Sequence, residues 1–539
     1  MLKRTLLGLC VVILVAGSSA LGQGLCPLNG TSSKNLICLI PQVYGPNGLS
    51  SGGPLLTAFG HEAHFGNDFV AEFRPISTAV GTQLSSLPIA SPSSGITFVY
   101  DPALKTFSPA TEQTLGPILG ERADTIGRNR VYVGFSYQYF NFDTIDGTDL
   151  NRVPAVFQHQ PIMPDNVNTF ACPNQAGLSG QYAGDPCFVR DFIQTTNSVD
   201  LTVHQYTFYA TYGVTKHLDI SVAVPILNVR MNVRSDATIV PNAVAPPIPN
   251  FPGQVFHQFD PAKVPSCGST VPCLQASFSD SGSASGIGDV VFRGKYEVYK
   301  GEHAGFALGV DVRTPTGDEK NYLGSGAAGV KPFGVFSYSA RVSPHAILGY
   351  EINGDSILAG DFVGTANKTG SLPNRFIYVV GADAAINKRL TAAFDLYGQH
   401  LSDSPRLVSN TYTDLGKCSD INCTTLTPGT THPNVAGATS GSNLVDASFG
   451  VKVRAPRVSG SSGATGNRTG YKTPGRKAPA LIDHFPHPKS THAMTVFKSF
   501  DRARPKSWLV VSGEVEHTPQ IKTAGIIGVR LADLGEPFA

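Results

Sequence analysis

Charged side chains alternate with apolar ones in several stretches of this sequence. Between Phe292 and Val298, for example, Arg293, Lys295 and Glu297 occupy every second position. Because alternate side chains of an extended strand point to the same face, these charges share one face. On an enclosed face they can form ion pairs or line a channel for a polar solute, and for any single residue both roles stay open. The charged residues that we predict to face an enclosed interior are Arg293, Lys295, Glu297, Asp311, Arg313, Glu351, Asp383 and Asp395.

Motifs that would indicate an enzyme are weak in this chain. Residues 324–329 match the glycine pattern of a dinucleotide fingerprint, but they follow a Pro-Thr-Gly-Asp turn and precede Pro332. The fingerprint instead joins a buried strand to a helix. The His-Glu-Ala-His run at 61–64 lacks the spacing of a zinc protease. We therefore expect no catalytic residue, no cofactor and no metal ion, although a hydrolase assembled from distant residues stays open.

The cysteines indicate an oxidising compartment. Of nine cysteines, Cys10 lies in the apolar N-terminal run, and the other eight fall into four pairs of near neighbours. Such spacing suggests local disulfides that close small loops, although eight cysteines allow 105 connectivities. Metal ligation is the weaker interpretation because zinc-type Cys-x-x-Cys pairs are absent. The predicted pairs are Cys26 with Cys38, Cys172 with Cys187, Cys267 with Cys273, and Cys418 with Cys423.

The elements that must position these side chains are strands. Period-two alternation predicts ten of them, most about ten residues long. Strands of soluble sandwiches are usually five or six residues long, whereas about 9 to 11 residues are needed to cross a membrane. We therefore predict an all-β fold, an antiparallel transmembrane β-barrel. The predicted strands are 131–142, 199–213, 218–224, 290–299, 306–313, 330–342, 344–354, 374–387, 388–401 and 444–454.

The connections between these strands alternate between short and long. Outer-membrane barrels have short periplasmic turns and longer extracellular loops, and soluble sandwiches lack this parity. Three of the four cysteine pairs fall in the long connections. The long connections are 143–198, 234–285, 316–329, 355–373 and 402–443.

The N-terminus resembles a secretory signal. Lys3 and Arg4 precede an apolar run from Leu6 to Ala16, and small residues follow near Ala20. This order is typical of a cleaved signal peptide, and the apolar run is shorter than the roughly 20 residues of a membrane-spanning helix. We expect export to the bacterial outer membrane, with membrane lipid as one partner. The formal net charge of +2 gives no indication of a nucleic-acid partner.

Composition divides the chain into four parts. The segment before the first strand is rich in Gly, Ser and Pro, which suggests an irregular extension, a plug or extra strands. After Val453 the alternation stops, and a basic, Pro-rich and Gly-rich composition follows that we expect to be poorly ordered. The predicted parts are a signal peptide (1–22), an N-terminal extension or plug (23–130), the transmembrane barrel (131–454) and an atypical basic tail (455–539).

Three glycine-containing motifs carry a family resemblance. Residues 285–289 (Ser-Gly-Ile-Gly-Asp), 315–318 (Pro-Thr-Gly-Asp) and 323–326 (Leu-Gly-Ser-Gly) resemble the outer-membrane family named for the phenol meta-degradation pathway. That family is distantly similar to the long-chain fatty-acid transporters. The resemblance covers roughly 120–453 and implies a barrel of about 12 strands that passively transports small molecules, hydrophobic or aromatic ones among them. It supplies no catalytic residues.

Two other functions remain open from the sequence alone. The barrel could be structural or adhesive, with its disulfide-closed outer loops binding a partner. It could also be a barrel hydrolase. Conductance that responds to a solute would distinguish a transport channel from both.

Overall fold

A computed structural model describes most of residues 120–454 and shorter pieces on either side. The predicted signal peptide lies outside the described residues, as does the predicted tail apart from three short strands. No helix among the described residues is both long and apolar enough to cross a membrane. The described residues are 26, 33–44, 51–52, 66–85, 98–101, 106–109, 117, 120–159, 187–245, 255–259, 264–267, 272–362, 368–387, 390–454, 493–497, 511–514 and 528–531.

The ten predicted strands are all present and form one antiparallel sheet in chain order. Each strand is hydrogen-bonded to the next one along the chain. The predicted all-β, antiparallel fold class is therefore confirmed. The strands are β1 (Val131–Phe142), β2 (Phe192–Gly213), β3 (Leu218–Val240), β4 (Val291–Lys300), β5 (Ala304–Arg313), β6 (Gly329–Tyr338), β7 (Val342–Asn353), β8 (Arg375–Asn387), β9 (Leu390–Thr413) and β10 (Thr431–Arg454).

Shorter strands extend this sheet. Val153–Gln158 pairs with β2, and Gln275–Ile287 pairs with the second half of β3. At the two edges, Val511–Glu514 pairs with β1, whereas Ala493–Phe497 and Gly528–Leu531 pair with β10. The longest hydrogen-bonded path thus contains twelve strands, the number that the family resemblance implies.

Among the described residues, the remaining elements are short except for α1 (Gly66–Ser85), which contains Pro75. The 3-10 helices of these described ranges are Leu36–Cys38, Cys187–Arg190, Pro265–Cys267 and Glu319–Asn321. Small two-stranded pairings are Ser51–Gly52 with Gln258–Phe259, Phe98–Asp101 with Thr106–Pro109, Thr144–Ile145 with Thr148–Asp149, Asp355–Asp361 with Lys368–Ser371, and Lys417–Cys418 with Leu426–Thr427.

Four strands are longer than the sequence predicted. β2, β3, β9 and β10 have 22, 23, 24 and 24 residues. Residues 402–413 and 431–443, predicted as part of a long loop, instead continue β9 and β10, and only 414–430 connects them. The short turns still lie together at one end of the sheet, here called the short-turn end. The long connections lie at the other end, the long-loop end.

A change of phase in β3 explains why the prediction stopped early. From Leu218 to Ile226 the outward side chains are apolar. Beyond Ile226 the outward positions become polar, beginning with Asn228, while the inward Val229 and Met231 are apolar and fully buried. The alternation therefore continues, but the apolar side chains change from the outward to the inward positions. A search for apolar residues at the outward positions alone loses the strand after Ile226.

The outer face of the sheet carries a band of exposed apolar side chains. Ile220, Leu308 and Leu348, on three different strands, are 49–57% exposed. Outward-facing tyrosines lie near both margins of this band. Those toward the long-loop end are Tyr137, Tyr139, Tyr206, Tyr350 and Tyr378, and those toward the short-turn end are Tyr212, Tyr296, Tyr299 and Tyr338.

The sheet curves around an enclosed interior. Side chains from β2 to β9 line one common cavity, which a flat sheet would not allow. The segment that follows β1 (143–158) also reaches the last two strands. Its Val156 amide donates to the side chain of Asn434 on β10, and its Asp146 accepts from the backbone amide of Leu407 on β9. The first and last strands of the ten are therefore brought toward each other, as in a barrel.

Residues that precede β1 fill much of this interior. Ile76 and Val80 of α1 are fully buried, and the helix packs against β9, β10 and Val153–Gln158. Tyr44 reaches β3, where its hydroxyl lies 2.6 Å from that of Ser235. The long-loop half of the interior is thus an apolar core rather than an open pore.

Three of the four predicted cysteine pairs are bonded in the structure. They are Cys26–Cys38, Cys267–Cys273 and Cys418–Cys423. The fourth predicted pair includes Cys172, which lies outside the described residues.

Candidate functional site

Residues 120–126 cross the interior at the short-turn end, and we name them the crossing segment. They have no regular secondary structure. Their backbone amides donate to side chains on three different strands, and this fixes the segment across the barrel rather than along one wall. The bonds run from Gly120 to Asp395 on β9 (3.3 Å), from Ala123 to Ser337 on β6 (3.1 Å) and from Ile126 to Asp219 on β3 (2.9 Å).

Two charges of β4 bind the crossing segment. The carboxylate of Glu121 contacts the guanidinium of Arg293 and lies 3.0 Å from the ammonium of Lys295. Lys295 also donates to the carbonyl oxygens of Arg122 and Asp124, at 3.0 and 2.9 Å. Burial alone would raise the pKa of Glu121, but the neighbouring positive charges outweigh burial and hold this pKa below its usual range.

The next contact joins the crossing segment to β8. Arg122 donates to the fully buried carboxylate of Asp383 at 2.6 Å. Beside it, His345 lies 2.5 Å from Asp395, and both side chains are buried. A Cβ on Gly120 would lie 2.2 Å from the imidazole of His345, so only glycine fits at this position.

A cavity of about 190 Å³ lies on the long-loop side of the crossing segment. Leu84 and Ser85, at the end of α1, line its wall together with the buried Tyr322. Glu121 lines the opposite part of the wall. The cavity is therefore bounded at both ends by segments of this same chain.

A row of ion pairs, which we name the ion-pair ladder, lies along one wall of this cavity. Its members are Arg293, Asp311, Lys331, Arg313, Glu351 and Arg375. Asp311 binds Arg293 at 2.6 Å and Lys331 at 2.8 Å. Arg293 also lies over the ring of Phe333, 4.9 Å from its centroid. Each charge is compensated by a neighbour, as burial requires.

The ion pairs of the ladder that lie nearer the long-loop end join three more charged residues. Glu351 binds Arg375 at 2.8 Å and Arg313 at 3.3 Å, both through the same oxygen atom. Arg313 also donates to Asn353 at 2.6 Å. Two guanidinium groups therefore share a single carboxylate.

The connection between β5 and β6 (314–328) folds inward, and we name it the inward loop. Asp289 fixes it by accepting from the backbone amides of Ser325 (2.7 Å) and Gly317 (3.1 Å). Gly317 and Gly324 touch, because a Cβ on Gly324 would lie 2.6 Å from the Cα of Gly317. The three glycine-containing motifs thus meet at one place, where they position Tyr322 against the cavity.

The eight charged residues predicted from the sequence lie on the interior face in two groups. Arg293, Lys295, Glu297, Asp383 and Asp395 lie near the crossing segment. Asp311, Arg313 and Glu351 belong to the ladder along the cavity.

Several partners of these residues were missed. Lys331 and Arg375 occupy inward positions of β6 and β8, so the same alternation could have identified them. Glu121 and Arg122 lie in a segment without periodicity, and no local signal marks them. Among the described residues, no group of His, Cys, Asp or Glu side chains has the arrangement of a metal site.

Comparison with known proteins supports the family resemblance over part of the chain. No curated protein matches the chain, so the more distant similarity to the fatty-acid transporters stays a prediction. Residues 187–405, which include β2 to β8 and much of β9, match the model of a family described as putative MetA-pathway of phenol degradation. This match confirms the resemblance to the phenol meta-degradation family that the glycine-containing motifs predict, over the part of the chain that contains the ion-pair ladder and the inward loop.

Proposed function

We propose that this protein is an outer-membrane channel for the passive transport of small molecules, aromatic and other apolar ones among them. The observation that carries the proposal is the cavity enclosed between the inward loop and the crossing segment. A purely structural barrel needs no space there. The family description, which refers to phenol degradation, supports an aromatic solute.

The outer surface supports a membrane location. On β3 the apolar face runs for nine residues from Leu218 to Ile226, close to the span that a tilted strand needs to cross a bilayer. Tyrosines lie at both margins of the band, as in the aromatic girdles of membrane barrels. We propose that the band contacts lipid, that the short-turn end faces the periplasm, and that a cleaved signal peptide directs export.

The interior suggests how transport proceeds without catalysis. To enter from the long-loop end, a solute would have to displace part of the apolar core beside the inward loop. It would then occupy the cavity and leave past the crossing segment. That segment is held by hydrogen bonds and ion pairs, such as Arg122 to Asp383, and not by a large apolar contact. Water can replace polar contacts more readily than apolar packing, so the crossing segment is the part of the interior that can yield. We propose no enzymatic role.

Conductance and uptake test the proposal together. The refolded full-length chain would be inserted into planar bilayers, and uptake of benzoate and glucose would be measured in proteoliposomes and in protein-free liposomes. We expect discrete conductance steps and benzoate uptake above the protein-free rate. Absence of both conductance and benzoate uptake, in the native chain and in Arg122→Ala, which removes the ion pair of the crossing segment with Asp383, would reject the channel. Specific binding to cell surfaces would then favour an adhesive barrel.

A further inference from the structure

The cavity leaves hydrogen-bond donors without acceptors. Among the described residues, the Nε atoms of Arg313 and Arg375 are buried and have no hydrogen-bond partner. The nearest carboxylate oxygen recorded for Arg313 Nε belongs to Asp289 and lies 3.9 Å away, beyond hydrogen-bond distance. A buried donor without an acceptor is costly, so these atoms indicate a place for an acceptor from outside the chain.

The acceptors that line the cavity are already engaged. Glu351 is shared by Arg313 and Arg375, and Asp311 binds Arg293 and Lys331. The other two carboxylates are held as well, because Glu121 binds β4 and Asp289 binds the inward loop. Besides the two arginine donors, the unmet groups of the described cavity wall include the hydroxyl of Tyr322, which can also donate. Because both charged groups among them are cationic donors, an anionic ligand is favoured over a cationic one.

Apolar residues line the cavity beside the two arginines, beginning two positions along β7 and β8 from the Glu351–Arg375 pair. Glu351 lies opposite Arg375 in the sheet, Gly349 opposite Ile377, and Ile347 opposite Val379. The side chains of Ile347, Ile377 and Val379 line the cavity next to Glu351 and Arg375, and Gly349 leaves room between them. The site therefore has a guanidinium fork at one end and an aliphatic surface at the other.

The size of the cavity limits the ligand. A cavity of about 150 Å³ holds one benzene ring. The cavity here is about 190 Å³, enough for one ring with a small substituent.

We infer that the cavity binds a single-ring aromatic carboxylate, with the carboxylate between Arg313 and Arg375 and the ring against Ile347, Ile377 and Val379. Guanidinium groups match the planar geometry of a carboxylate, and two of them are present here. The inference rests on the proposed channel function and specifies its solute.

Isothermal titration calorimetry of the refolded full-length protein tests this site with three single-ring ligands of similar size. The ligands are benzoate, benzyl alcohol and benzylammonium, at one ionic strength. We expect benzoate to bind at least tenfold more tightly than benzyl alcohol, and benzylammonium not to bind. Arg375→Met should weaken benzoate binding about 10-fold to 100-fold, the range for loss of a charged hydrogen bond. The affinity of Arg375→Lys for benzoate should lie between those of the native protein and Arg375→Met. Lysine keeps the positive charge but lacks the planar guanidinium group that matches a carboxylate.

The matched control is Arg230→Met, on the outward polar face of β3, which should leave binding unchanged. Heat-modifiability on gels verifies that each variant folds. Equal binding of benzoate and benzyl alcohol, or benzoate binding unchanged by Arg375→Met, would overturn the inference. Proteoliposome uptake separates the two failures. Uptake of benzoate and glucose without preference would reject the carboxylate site and keep the channel. The absence of any uptake would reject the channel itself.

Discussion

Arg122 donates a hydrogen bond of 2.6 Å to the buried carboxylate of Asp383, although 261 positions separate them in the sequence. Arg122 precedes all ten strands β1 to β10, whereas Asp383 lies on β8. This ion pair therefore ties the crossing segment to the interior face of β8, and the contacts of Glu121 tie it to β4.

Arg122→Ala should release the crossing segment. The substitution leaves Asp383 buried without its partner, which costs about 3 to 5 kcal/mol for a buried ion pair. We expect a several-fold increase in single-channel conductance, measured in planar bilayers at 0.15 M salt.

An exposed ion pair of the same chain provides the control. Arg234 and Asp236 lie on the outward face of β3, with side chains 62% and 49% exposed. Arg234→Ala should change conductance little, because water screens an exposed ion pair and this pair holds no segment in the interior. Equal conductance of Arg122→Ala and the native chain would show that the crossing segment does not restrict the pore.

Gly324→Ala should displace the inward loop. A Cβ at this position would lie 2.4 Å from the carboxylate of Asp289, so the loop cannot keep its place. We expect a loss of about 1 to 3 kcal/mol in the free energy of unfolding, the usual cost of overpacking, and faster proteolysis near Tyr322. In Gly294→Ala, the added Cβ has no atom within 4 Å, and this variant should behave as the native chain does. A stable, protease-resistant Gly324→Ala protein would contradict the packing described for the loop.

Leu308→Arg tests whether the apolar band contacts lipid. Leu308 is 52% exposed near the middle of β5, so a soluble protein would tolerate the change within about 0.5 kcal/mol. In a bilayer, arginine near the midplane costs about 2 to 4 kcal/mol. Urea unfolding in lipid vesicles measures the difference. Asn232→Arg, on the outward face of β3 beyond the band, is the matched control and should be nearly neutral.

The strands could be predicted because the two faces of each strand contrast within the apolar band. Val310 outward and Asp311 inward on β5 show this contrast in adjacent residues. Beyond the band the apolar face turns inward, at Ile226 and Leu227 of β3, and the prediction lost the strand there. The crossing segment could not be predicted, because Glu121 finds its partners about 170 residues away and periodicity carries no information about such contacts.

Acid should loosen the connection at 414–430, at the long-loop end. The carboxylate of Asp414 lies 2.8 Å from the imidazole of His432 and accepts from the backbone amides of Gly416 and Thr430. Burial opposes ionisation, but these hydrogen bonds outweigh it and hold the pKa of Asp414 below its usual 3.8. Since the folded pKa is lowered, the stabilisation is present above the unfolded pKa and disappears as the pH falls through the folded value.

Hydrogen exchange of residues 414–432, corrected for intrinsic rates, measures this effect. Protection in the native chain should stay constant from pH 7 to about 4.5 and decrease only at lower pH, near and below the unfolded value for aspartate. Asp414→Asn should lose protection at every pH and show no acid transition, because it lacks the carboxylate. Cys418–Cys423 stays oxidised in both proteins and keeps the loop closure the same. A transition above about pH 5, or one that survives in Asp414→Asn, would show that another group controls this connection.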